Sequence, residues 1–138
     1  MAIGELEGGC LCGAIRYRIA GTPAGSMICH CRTCQRLSAA PTVAWLTVAR
    51  QAFHITRGEL SSFRSSPPVQ RTFCSRCGTP ISYAHNSEPE FIDVTTCSLD
   101  APAAWPPTHH SWLEHNVAWV MFGDGLPTFP QSRNGGAL

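Results

Sequence analysis

All but one of the eight cysteines in this chain of 138 residues fall into three short runs, and that grouping constrains the fold more than any other feature. The first run is Cys10-Leu11-Cys12, set between Gly8-Gly9 and Gly13. The last is Cys74-Ser75-Arg76-Cys77, followed by Gly78. Two thiolates two or three positions apart on a tight turn occupy adjacent corners of a tetrahedral metal site, and a second pair completes it. A metal shared by Cys10, Cys12, Cys74 and Cys77 pins an early strand to a late one. The middle run, Cys29-His30-Cys31-Arg32-Thr33-Cys34, offers three thiolates, a number that leaves one position on the metal for water or substrate. His30 points away from Cys29 and Cys31 if the segment is extended, since successive side chains alternate, and reads as a polar surface or supporting residue.

The N-terminal residues have no basic start and no apolar run, so a secretory signal is not expected and the chain reads as cytoplasmic. Thiols in that compartment stay reduced and available to metal. No apolar stretch approaches the ~20 residues of a membrane-spanning helix. The formal net charge is +1, with acids and bases scattered, which argues against nucleic acid and against a polybasic membrane patch. Every basic residue other than histidine is arginine, the side chain whose planar fork suits carboxylates.

Period-two alternation dominates the chain. In residues 14–19, Ile15, Tyr17 and Ile19 share one face and the two arginines the other. Further strands are expected over residues 27–29, 43–48, 53–56, 81–84 and 91–96. Residues 60–64 and 69–73 are expected to pair across the Ser65-Ser66-Pro67-Pro68 loop. Residues 33–37 read as a turn or two of helix stopped before Pro41. A single mainly β domain over residues 1–126 follows. Residues 127–138, rich in Pro, Gly and Ser, read as a flexible tail.

The three motifs together, Gly8-Gly9-Cys10-x-Cys12-Gly13-x-Ile15-Arg16-Tyr17, Cys29-His30-Cys31-x-x-Cys34-Gln35 and Phe73-Cys74-x-x-Cys77-Gly78-Thr79-Pro80-Ile81, resemble those of the glutathione-dependent formaldehyde-activating enzymes, a family that includes centromere protein V. The resemblance runs over about residues 6–122, and three linked motifs are far more specific than one. It implies a β-tent of twisted antiparallel sheets. It assigns Cys10, Cys12, Cys74 and Cys77 to a structural zinc and Cys29, Cys31 and Cys34 to a second, catalytic zinc. The implied activity is reversible carbon–sulfur bond formation, glutathione adding to formaldehyde to give S-(hydroxymethyl)glutathione. Arg32, Arg36, Arg64 and Arg71 are candidates for holding the carboxylates of such a thiol, the first two being nearest the middle cysteines in sequence.

Cys97 stands where many relatives carry a small residue. It reads either as a small buried hydrophobe or as a fourth thiolate that closes the middle cluster. His109, His110 and His115 read as surface or packing residues, and Trp105, Trp112 and Trp119 as core or rim aromatics. A different class of function fits the same framework: a non-catalytic, zinc-stabilised β module that binds a protein or peptide along an exposed sheet. The unpaired edges of such a sheet also suggest a homodimer.

Overall fold

The computed structural model describes residues 4–135. Ten strands and one short helix follow one another as β1 (Leu6–Gly9), β2 (Arg16–Ile19), β3 (Gly25–Cys29), α1 (Arg32–Ser38), β4 (Val43–Ala49), β5 (Phe53–Arg57), β6 (Ser61–Ser66), β7 (Val69–Phe73), β8 (Pro80–His85), β9 (Phe91–Thr95) and β10 (His110–Ser111). They build a three-stranded sheet, in the order β1-β2-β5, and a seven-stranded sheet, in the order β10-β3-β4-β9-β8-β7-β6. Every pairing between named strands is antiparallel except that of β10 with β3. The mainly β reading of the sequence therefore holds, and the expected β6–β7 hairpin forms.

Alternation along the strands gives the large sheet two different faces. Leu46 and Val48 of β4, Ile81 and Ser82 of β8 and Val94 of β9 are buried on one of them. There Leu46, Val48, Ile81 and Val94 form a core with Ile15, Tyr17 and Ile19 from the start and length of β2. Burying several such side chains contributes roughly 1.5–3 kcal/mol each, and this layer joins the two sheets. The intervening residues Trp45, Thr47, Tyr83 and Asp93 line a cavity instead. Trp45 packs with Trp112, Cys29, Cys31 and Cys34 in a second, smaller core. One strand, β4, thus serves the scaffold with its even positions and the cavity with its odd ones.

The first residues of the expected tail are hydrogen-bonded to the sheet. The Pro127 carbonyl accepts from the His110 N–H at 2.9 Å, the Phe129 N–H donates to the His110 carbonyl at 3.0 Å, and the Trp112 N–H donates to the Gln131 carbonyl at 3.0 Å. Residues 127–131 therefore run beside β10 and satisfy its free backbone groups. Proline and glycine content marks an irregular path, and here that path is hydrogen-bonded. No helix among the described residues is long and apolar enough to cross a membrane.

Candidate metal centre

All eight cysteines are free thiols, and seven of them gather into two groups whose sulfurs lie within 4.8 Å of one another. The first is Cys10, Cys12, Cys74 and Cys77. Tetrahedral zinc–sulfur bonds of about 2.3 Å place neighbouring sulfurs about 3.8 Å apart. The Cys10–Cys12 and Cys12–Cys74 sulfurs are separated by 3.6 and 3.8 Å. The set fits a divalent metal and is too widely spaced for a disulfide.

Two glycine-closed turns present these thiols. Gly13 and Gly78 sit at φ of 80° and 81°, a left-handed conformation that other residues adopt only at a cost. Each glycine N–H closes its turn on a backbone carbonyl, Gly13 on Cys10 at 3.2 Å and Gly78 on Cys74 at 2.8 Å. The sulfurs are served by other groups. The Ile15 N–H donates to Cys10 Sγ at 3.2 Å, and the Thr79 hydroxyl lies 3.2 Å from Cys77 Sγ. Hydrogen bonds at Thr79 are the first reason the Cys77 thiol is pushed down to about 5.

The second group, Cys29, Cys31 and Cys34, is buried throughout. Strand β3 ends on Cys29, and Cys31 caps α1, its sulfur accepting from the Cys34 N–H at 3.3 Å. The Trp45 indole N–H donates to Cys34 Sγ at 3.4 Å. Hydrogen bonds from Cys29 and Cys34 push the Cys31 thiol down to about 2. The Cys29 thiol is pushed up because it is the donor to both neighbours, with burial adding to the effect. The opposite directions of these shifts reflect three sulfurs competing at close range, and a divalent cation would relieve that competition by taking all three as thiolates.

Cys97 joins neither group and is exposed. Its exposure corrects the expectation of a small buried hydrophobe, and its sulfur lies outside the three-cysteine group that it was a candidate to join. The reason is local, since the 3-10 turn Thr96–Ser98 that follows β9 buries Thr96 and turns Cys97 outward.

The three buried thiols line a cavity of about 560 Å³, and none of the four in the first group does. Trp45, Trp112 and Met27 supply apolar wall, and Thr47, Arg71, Tyr83, Asp93 and His109 supply polar groups. Burial pushes the Asp93 carboxyl up to about 6, against a hydrogen bond from the Thr47 hydroxyl that pulls it down. Burial also pushes the Tyr83 hydroxyl up to about 12 and holds His109 below the usual imidazole value. Of the four arginines singled out from the sequence, Arg71 alone reaches the cavity, whose rim the exposed Arg133 also lines, whereas Arg32, Arg36 and Arg64 are exposed. Sequence distance favoured Arg32 and Arg36, but the order of strands in the sheet decides the matter.

Behind the thiols lies a buried relay that sequence reasoning did not find. His30 Nε2 meets His110 Nδ1 at 2.9 Å, and His110 Nε2 meets an Asp124 carboxylate oxygen at 2.9 Å. Both rings are almost fully buried, at 3% and 2% exposure, so His30 and His110 are internal rather than surface residues. His30 does point away from the thiols, as the alternation of an extended segment requires. Gln35, buried on α1, ties the same region together by donating to the His30 and His115 carbonyls at 2.8 and 2.9 Å.

The sequence matches the profile of the family described as glutathione-dependent formaldehyde-activating enzyme over residues 5–115. The chain belongs to that enzyme family. Among curated proteins it is similar to an uncharacterized lyase of Schizosaccharomyces pombe, at 30% identity over 65% of this chain and 66% of the lyase. It is also similar to a candidate glutathione-dependent formaldehyde-activating enzyme of Halomonas elongata, at 29% identity over 83% of this chain and 79% of that protein. A crystal structure of a Rhodobacter sphaeroides protein shares the fold, with a TM-score of 0.58 at 23% identity, covering 68% of this chain and 87% of that one.

Proposed function

We propose that this protein is a zinc-dependent carbon–sulfur lyase and synthase that joins a small thiol, such as glutathione, to formaldehyde and reverses the reaction. The observation that carries this reading is the unequal placement of the two thiol groups. The four-cysteine set stands apart from the cavity and suits a closed structural zinc. The three-cysteine set opens onto a cavity large enough for a tripeptide thiol. Cys29, Cys31 and Cys34 would hold the zinc, which would supply a Lewis acid for a thiol or an aldehyde oxygen.

In the forward direction the thiol sulfur forms a bond to the aldehyde carbon, the carbonyl π bond opens onto oxygen, and the thiol proton ends on that oxygen. The reverse breaks the same carbon–sulfur bond. His109, neutral near pH 7 because burial holds it low, and Asp93 are the cavity groups suited to take and return this proton. Tyr83 stays protonated and is suited to donate to the oxygen. Trp45 and Trp112 cover the thiols and keep bulk water from competing. The Trp45 N–H to Cys34, and the His30–His110–Asp124 relay behind the segment, orient the ligands from outside.

Exchange spectroscopy with ¹³C-formaldehyde and glutathione tests the reading. The zinc-replete protein is expected to accelerate interconversion of hydrated formaldehyde and S-(hydroxymethyl)glutathione, and Cys34→Ser to lose the acceleration. Two bound zincs with no acceleration would instead favour a non-catalytic zinc module that binds a peptide or protein.

A further inference from the structure

One register row of the large sheet crosses the cavity from end to end. Gly25 pairs with Thr47, Thr47 with Asp93, Asp93 with Tyr83, and Tyr83 with Arg71. Residues directly opposite on adjacent strands share a face, and all five line the cavity. At one end Thr47 and Asp93 are tied by a 2.6 Å hydrogen bond. At the other, the Arg71 guanidinium lies over the Tyr83 ring, 4.9 Å from its centroid.

Arg71 is only 4% exposed. Its Nε donates to the Ser65 hydroxyl at 2.8 Å, while its Nη1 is buried with no hydrogen-bond partner among the described residues. No ion pair among the described residues includes it. A cation taken out of water without a counter-charge is costly, and the planar fork of arginine matches a carboxylate. Asp93 is two strands away, about 10 Å at 4.8 Å per strand, and its carboxyl is occupied with Thr47.

We infer that Arg71 is a specificity-determining residue: it binds a carboxylate of the thiol substrate, so the cavity selects carboxylate-bearing thiols over neutral ones. This inference rests on the proposal that the cavity receives a thiol, and it adds which part of the thiol is read and by which residue. A competing role for Arg71 is to balance the charge of the neighbouring thiolates, since its charge helps keep Cys31 ionised. That role is blind to the substrate's carboxylates.

Binding of S-methylglutathione, which has no free thiol, separates the two roles. Calorimetry on the zinc-replete protein is expected to show S-methylglutathione binding at least tenfold more tightly than its dimethyl ester. Arg71→Met is expected to lose about 10- to 100-fold in affinity for S-methylglutathione and to leave the ester unchanged. Arg71→Lys, which keeps the charge, recovers part of the loss. Equal affinity of the wild-type protein for acid and ester would overturn the inference without recourse to any variant. An equal loss for both ligands in Arg71→Met would overturn it in favour of charge balance. The readout is independent of turnover: a protein that prefers the acid, loses that preference in Arg71→Met, and does not accelerate adduct exchange refutes the proposed reaction and keeps Arg71 as the carboxylate site, whereas a preference that survives in Arg71→Met overturns the inference in favour of Arg133, which also lines the cavity. A protein that accelerates exchange and binds acid and ester alike does the reverse.

Discussion

Replacing Cys74 by Ser tests the division of labour between the two thiol groups. Cys74 is 1% exposed and lies in the main core with Cys10. A metal held by this set would link Cys12 to Cys74, 62 residues apart. In the chain-entropy treatment of cross-links, closing a loop of that length removes about 4 kcal/mol of unfolded-state freedom. The three-cysteine group closes only the short run from Cys29 to Cys34, for which the same relation gives about 2 kcal/mol. A domain of this size holds roughly 5–15 kcal/mol in all, so the first loss is a large share of it. At roughly 3–5 °C per kcal/mol, Cys74→Ser is expected to melt about 15 °C below wild type and Cys34→Ser about half as far below. Thermal unfolding followed by far-ultraviolet circular dichroism, with zinc content measured on the same samples, reads both values. Cys74→Ser within about 3 °C of wild type, or equal losses in the two variants, would refute the reasoning.

Three further perturbations have defined outcomes. Asp93 has a folded-state value of about 6 against a usual 3.8, so its contribution to stability is complete below pH 4 and is lost as pH rises through 6. Asp93→Asn should therefore match wild type at pH 4 and exceed it at pH 8 by up to about 3 kcal/mol; a urea-unfolding difference that does not change with pH would contradict this. Trp45→Phe removes the N–H donated to Cys34 and should weaken zinc at the three-cysteine site about tenfold, measured by chelator competition, while leaving the four-cysteine zinc unchanged. His110→Phe strands the buried ring nitrogen of His30 and should cost about 1–3 kcal/mol in urea unfolding; a variant as stable as wild type would show that the relay contributes nothing to folding.

The readable parts of the fold were those written in local sequence. Residues 43–48 are a short apolar run rich in β-branched and aromatic side chains, and β4 forms there, with Leu46 and Val48 in the core and Trp45 and Thr47 facing the cavity. The cysteine groups were legible because metal ligands keep short spacings that a knuckle imposes, and the two sets gather as those spacings suggest. What escaped depends on contacts between distant positions. The sheet order sets β7 beside β8, and so brings Arg71 to the cavity while Arg32 and Arg36, next to the thiols in sequence, face solvent. Strand β10 has two residues, too few for a periodic signal, yet it buries His110 against His30 and gives residues 127–131 a partner. Cys97 has no cysteine partner at short spacing, so the sequence left its place open, and only the turn after β9 shows that it faces outward.

The most direct test of the account is the zinc content and coordination of the protein before and after glutathione is added, read by metal analysis and zinc X-ray absorption. Two zincs per chain are expected, one in four-sulfur coordination that glutathione does not alter and one that starts with three protein sulfurs and changes its coordination as the thiol binds. Two zincs that both ignore glutathione, or a single inert zinc, would contradict the central claim that Cys29, Cys31 and Cys34 form an open site for thiol chemistry.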